Sequence, residues 1–155
     1  MMIMKNRLKT MALLVLGILV MSGMNGCEKT SKTAASEVHW DRDMCTRCVM
    51  VVSDRKNTVQ VKDPNNGKTY MFDDIGCMAL WFDEEHIPWK DKAVVWITDV
   101  DTGEWIDAKK AFYDTNNVTP MSYGYSAHKT KESIKPTEEV ISYDEVLKRV
   151  THQSK

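Results

Sequence analysis

The chain has no surplus of positive charge: 21 Lys and Arg stand against 22 Asp and Glu over 155 residues. Nothing in that balance neutralises a phosphate backbone, so nucleic acid is not an expected partner. Long apolar runs are missing too. The longest, Met11 to Met21, is eleven residues and reaches about half of a ~30 Å hydrocarbon core, too short to span it as a helix. No second C-x-x-C and no H-x-x-x-H accompanies the single Cys45/Cys48 pair, so a four-ligand zinc site cannot be completed. Val49 and not His follows Cys48, which excludes attachment of a c-type haem. A hydrophobic content of 43% with 28% charged residues leaves no case for wholesale disorder, a collagen repeat or a coiled coil.

The short apolar run has a different use. Lys5, Arg7 and Lys9 precede it and S-G-M-N-G-C follows, the cationic, apolar and small-residue order of a signal peptide over 1–26. The Gly26-Cys27 junction resembles the lipobox of bacterial lipoproteins, in which the Cys carries lipid and begins the mature chain. This predicts attachment to a lipid membrane through Cys27 and a place in the cell envelope facing the periplasm. Glu28 in the next position permits sorting to the outer membrane of a Gram-negative host. Six of the eleven methionines precede Cys27, so most of the apparent methionine excess belongs to targeting. The stretch 27–37 is polar, small and without apolar periodicity, and reads as a flexible tether. A single domain over 38–155 follows.

Within that domain C-V-M-V-V-S reads as a short strand, and T-V-Q-V-K with K-T-Y-M-F as a hairpin about D-P-N-N-G. Asp73 or Asp74 caps a helix from Ile75 to Glu85, with Ile75, Met78, Ala79 and Phe82 on one face. A-V-V-W-I-T-D-V is a strand, D-T-G a hairpin turn and E-W-I-D-A-K-K-A-F-Y a second arm. P-M-S-Y-G-Y-S-A-H is a strand or loop, a short polar helix spans 129–135, E-V-I-S is a last strand, and 143–151 is a C-terminal helix. The expected class is α+β, as two small β-β-α-β units with antiparallel sheets in one compact domain.

Chemistry concentrates in D-M-C-T-R-C-V-M, Asp43 to Met50. Cys45 and Cys48 can direct two sulfurs at one ion, and Met50 adds a thioether on the Cys48 face of a strand. Thiolate with thioether is a soft donor set that selects Cu(I) over harder divalent ions. Two other readings stand beside it. A thiol–disulfide oxidoreductase could use the same pair, with Val118-Thr119-Pro120 as a facing proline loop, although redox pairs sit at helix N-termini and this one leads into a predicted strand. A structural disulfide would close so short a loop that it stabilises little. Cys77 in an apolar helix reads as packing, and His128, seven residues after Met121, as an alternate donor.

In order, C-T-R-C-V-M, Y-M-F-D-D-I-G-C-M-A-L-W-F, W-I-D-A-K-K-A-F-Y and T-P-M-S-Y-G-Y-S-A-H behind a lipoprotein signal resemble the NosL family, copper-binding accessory lipoproteins of nitrous oxide reductase assembly. The resemblance covers the chain from Asp43 onward, with Val49 where the family usually has Gly. It implies a fold of two β-β-α-β units and a periplasmic Cu(I) chaperone with no catalysed bond chemistry. Its client would be a copper-accepting enzyme, nitrous oxide reductase foremost. Carried over by position, the Cu(I) ligands are Cys48 and Met121, with Cys45 as third donor and Met50 and His128 as alternates.

Overall fold

The computed structural model describes residues 31–153. The expected signal peptide over 1–26 and the expected lipid attachment at Cys27 lie outside the described residues. A four-stranded antiparallel sheet is built from β1 (Val59–Lys62), β2 (Thr69–Phe72), β3 (Val94–Thr98) and β4 (Trp105–Asp107) in the order β2-β1-β3-β4. Helix α1 (Ile75–Glu84) lies between β2 and β3 in sequence. A two-stranded antiparallel sheet, β5 (Phe112–Asp114) with β6 (Ser126–His128), and helix α2 (Tyr143–Gln153) complete the domain. Among the described residues no helix is long and apolar enough to cross a membrane.

The expected α+β class with antiparallel sheets is the one found. The first half runs β-β-α-β as read from the sequence. In the second half β4 pairs with β3 of the first sheet, and β5, β6 and α2 follow. The D-P-N-N-G turn closes with Asp63 N–H bonded to Lys68 C=O at 2.9 Å and Gly67 at φ 77°. That left-handed conformation favours glycine.

Alternation puts Phe72, Val59, Ile97 and Ile106 in one cross-strand row and Tyr70, Val61 and Val95 in the next. Val59, Val61, Val95 and Ile97 are all 2% exposed or less. Together with Ile75, Met78, Ala79 and Phe82 of α1 they belong to one buried core. Helix α2 packs on α1 and buries Tyr143, Val146 and Val150. The Tyr143 hydroxyl reaches Met78 Sδ at 3.9 Å.

The opposite face of the sheet is also covered. Gln60 and Lys62 of β1 are buried although the alternation turns them away from the core. Residues 31–36, expected to form part of a free tether, lie bonded along that face. The Gln60 side-chain amide accepts from Ser36 N–H at 2.7 Å and donates to Ser36 C=O at 2.8 Å. Lys62 Nζ donates to Ser31 C=O at 2.9 Å, and Trp96 Nε1 to Thr33 C=O at 2.8 Å. These bonds satisfy polar groups that the overlying segment takes out of water.

The predicted strand C-V-M-V-V-S is not formed. Only an isolated bridge joins Met44 and Val51, because the chain between them is wound into a tight turn around two sulfurs. Ordered E-V-I-S is likewise reduced to a bridge between Ile141 and Tyr113.

Candidate metal centre

In the turn, Cys45 N–H bonds to Met50 C=O at 2.7 Å and Val49 N–H to Cys45 C=O at 3.0 Å. Closing it this tightly puts Val49 at φ 61°, in the left-handed region that a β-branched side chain enters only under strain. Glycine would take the same conformation freely, and glycine is what the resembling family usually carries there. Thr46 N–H donates to Met71 C=O at 2.7 Å, docking the turn on the outer edge of β2 and covering that edge.

Two consecutive aspartates fix what faces the turn. Asp73 accepts from the N–H groups of Ser53 and Asp54 at 3.2 and 3.4 Å, holding the chain that leaves the turn. Asp74 caps α1, accepting from Gly76 N–H at 2.9 Å. Its other oxygen accepts from Thr119 Oγ1 at 2.6 Å and Met121 N–H at 3.1 Å. One buried carboxylate therefore starts the helix and pins the T-P-M segment to the same end. Burial raises the pKa of both aspartates, and the hydrogen bonds each accepts oppose that rise.

Cys77 stands in the first turn of α1, immediately beyond the cap. Its sulfur meets those of Cys45 and Cys48, and the three Sγ atoms lie within 4.8 Å of one another. Sulfur bonds of about 2.3 Å to a metal ion place three trigonal ligands about 4 Å apart, so small side-chain rotations bring all three onto one ion. The donor set is all soft sulfur. Among the described residues, no other group of three or more His, Cys, Asp or Glu converges in this way. Cys45 and Cys77 are buried and Cys48 is half-buried.

The three sulfurs are electrostatically unequal. The Cys45 sulfur accepts foremost from the Cys77 thiol, then from the backbone N–H groups of Cys48, Asp73 and Arg47, and its pKa falls from 9.0 to about 5 against the opposing effect of burial. The Cys77 thiol, donating to Cys45, is pushed well up. Burial pushes Cys48 up as well, while it accepts from Met50 N–H. The metal-free centre near neutrality is thus one thiolate cradled by two thiols.

Around it, Arg47 makes a two-pronged ion pair with Glu84 at the far end of α1, Nε to Oε2 2.9 Å and Nη2 to Oε1 2.7 Å. Its Nη1 is 3.5 Å from the Tyr123 hydroxyl. The Tyr123 ring packs against Gly76, where any Cβ would overlap it.

The structure brings together Cys45 and Cys48 from the sequence reading and adds Cys77. Met121 sits half-buried against the same core, its backbone tied to the α1 cap beside Cys77. Met50 is 50% exposed at the mouth of the turn. His128 is elsewhere, on β6, with Nδ1 2.9 Å from Asp101 and Nε2 3.1 Å from Asp114. The second contact is within ion-pair distance but not aligned as a hydrogen bond. Burial lowers the pKa of His128, yet the two carboxylates outweigh it and the net shift is upward, so its ring is engaged in that ion pair. A Cys in an apolar helix reads from sequence as packing, being a small hydrophobe, whereas the structure places the Cys77 sulfur in the cluster. The signal that distinguishes it is its place three residues after the capping Asp74, in the first turn, where a side chain meets whatever docks on the helix start.

No protein-family model matches the sequence, and no curated protein matches it. The fold does have a solved counterpart. The crystal structure of the copper chaperone NosL from Shewanella denitrificans superposes with a TM-score of 0.59 at 12% sequence identity, covering 72% of this chain and 94% of that one. The chain has the fold of that copper chaperone and carries a three-cysteine cluster compatible with a soft metal ion.

Two measurements check the local physics. In the reduced, metal-free protein one thiolate absorbance should be lost as pH falls through about 5, and Cys45→Ser should abolish it. A thiol pKa depressed on folding stabilises the fold above the unfolded value of 9.0 and loses that contribution towards about 5, so stability should rise with pH across this window. A thiolate appearing only near 9 would contradict the cradle. Val49→Gly removes left-handed strain at a side chain 66% exposed and should raise stability by about 1 kcal/mol, the strain relieved less glycine's entropy. A fall in thermal midpoint would show that the turn is not strained.

Proposed function

We propose that this protein is a Cu(I) carrier of the NosL type, held at a membrane of the cell envelope by lipid on Cys27 and facing the periplasm. The observation that carries this reading is the convergence of three sulfurs within 4.8 Å on the fold of a copper chaperone. Cys45 and Cys77 anchor the ion from below, and Cys48 closes it from the open side. The Met121 thioether, tethered at the start of α1, is the neighbouring soft donor, and Met50 stands at the entrance. His128 has no place in this ligand set, since its nitrogens face Asp101 and Asp114.

Transfer is ligand exchange. An acceptor's sulfur or imidazole enters on the Cys48 side, Cys48 leaves, and the buried sulfurs follow, with no bond made or broken in a substrate. The motifs shared with the NosL family favour nitrous oxide reductase as the client copper enzyme. Thiol–disulfide catalysis is less well served by this geometry. The sulfur with the lowered pKa, Cys45, is 1% exposed and cannot reach a partner's disulfide, and neither cysteine of the pair is itself carried in the first turn of a helix.

Anaerobic titration of the reduced protein with Cu(I) against a competing chelator tests the proposal. One ion per chain is expected. Cys45→Ser, Cys48→Ser and Cys77→Ala should each weaken binding by about 100-fold or more, and Met121→Leu by about tenfold, the scale of losing a neighbouring group. The loaded protein should pass copper to metal-depleted nitrous oxide reductase, and Cys27→Ser should release the chain from the membrane fraction. Affinity unchanged in both Cys48→Ser and Met121→Leu would remove the assignment.

A further inference from the structure

The number of sulfurs, and the charge around them, bear on what else the centre holds. Three cysteine sulfurs converge, and among the described residues no fourth His, Cys, Asp or Glu joins them. A tetrahedral Zn²⁺ site of the structural kind therefore lacks a ligand. The surroundings are acidic. Asp73 adjoins Cys45, its backbone N–H directed at that sulfur, and Asp74 is buried at the helix start three residues before Cys77. Arg47 also reaches towards Cys77, but its charge is engaged by Glu84 through two hydrogen bonds.

Formal charge then ranks the occupants. Three thiolates with a monovalent ion carry two negative charges, with a divalent ion one, and with a trivalent centre none. A buried complex beside two carboxylates is least penalised when it is neutral. A three-coordinate trivalent centre that keeps a lone pair in its fourth direction also matches a site with three donors and one open side, here the side of half-buried Cys48 and exposed Val49 and Met50.

We propose that Cys45, Cys48 and Cys77 form a binding site for trivalent arsenic, taken up as arsenous acid. Three As–O bonds break and three As–S bonds form. Near neutrality two thiol protons and one proton from solvent leave with the three hydroxides as water, and arsenic remains trivalent, so no oxidant or reductant is required. Cys48, the reachable sulfur, forms the first bond, and the buried pair closes the chelate. The occupied centre is neutral, whereas Cu(I) in the same place leaves net negative charge or one thiol protonated. Arsenic therefore uses the same three sulfurs in a neutral complex and, unlike copper, draws nothing from the Met121 thioether. The site is the one assigned above to Cu(I), and the two readings fail separately.

The test is titration of the reduced full-length chain with sodium arsenite under anaerobic conditions. Bound arsenic per chain is measured after gel filtration, and As–S bond formation is followed by its ultraviolet charge-transfer absorbance. One arsenic per chain is expected. Cys48→Ser, at a half-exposed position that does not threaten folding, and Cys77→Ala, checked for native circular dichroism, should each weaken binding by at least about 100-fold, the upper end of what losing a group merely bonded to a ligand costs. Met121→Leu should leave it within about twofold, well inside that range. Arsenite binding unaltered in either cysteine variant overturns the proposal, since two thiols would then suffice. Cu(I) binding without arsenite binding overturns it while sparing the copper reading, and arsenite binding without Cu(I) binding does the reverse.

Discussion

Asp74 is the constraint on which the arrangement of the centre depends. A fully buried carboxylate is tolerated only when its lone pairs are taken up, because an unpaired buried charge costs several kcal/mol. Its donors here come from two separate segments: Gly76 N–H from the helix it starts, and Thr119 Oγ1 and Met121 N–H from a stretch 45 and 47 residues further on. Satisfying one charge therefore forces the T-P-M segment onto the beginning of α1. Thr119 Oγ1 also accepts from Gly124 N–H at 3.1 Å, so the hydroxyl that donates to Asp74 folds the loop back upon itself. Asp73, one residue earlier, holds the exit of the cysteine turn in the same way. The pair of aspartates is a two-sided clamp with a sulfur-bearing segment on each side.

The remaining contacts stiffen what the clamp assembles. Gly76 lets the Tyr123 ring lie on the helix, and the Tyr123 hydroxyl meets Arg47. Arg47 in turn reaches down the helix to Glu84. One exposed ion pair of this kind contributes little to stability. Its value lies in geometry: a forked guanidinium–carboxylate contact fixes direction as well as distance, and this one sets the cysteine turn against the helix that carries Cys77. The strain at Val49 is sustained by the same over-determination, with backbone bonds from Cys45, Thr46 and Val49 all closing on the turn.

The elements legible in the sequence are those whose own periodicity faces the core. Val59 and Val61, Tyr70 and Phe72, and the Ile75–Phe82 helix face all read directly, because burial selected each residue for that face. What escaped depends on contacts between distant segments. Residues 31–36 look like a solvated tether because they are polar, yet the polar residues Gln60 and Lys62 on the outward face of a central strand need partners, and this segment supplies them. The run Cys48 to Ser53 looks like a strand because it is β-branched. N–H groups that a ladder would consume are instead directed inward at sulfur and at Asp73. His128 is close to Met121 in sequence, but Gly124 at φ 84° turns the chain into β6, where the ring is drawn between two carboxylates.

The unequal burial of the three sulfurs has a consequence for exchange under the carrier reading. If all three were exposed, an ion would be held by groups that water and competing thiols reach equally. If all three were enclosed, release would require the turn to open against the Asp73 and Arg47 contacts. With Cys45 and Cys77 at 1% and 0% exposure and Cys48 half-buried, an entering ligand finds a single sulfur to displace while two others retain the ion. Each intermediate then keeps the ion ligated, and the barrier is one metal–sulfur bond at a time in place of full dissociation. The apolar side chains beside Cys48, Val49 at 66% and Met50 at 50% exposure, are the surface an acceptor must cover to approach that sulfur. Covering them excludes water from the exchange and strengthens the new bond as the old one lengthens.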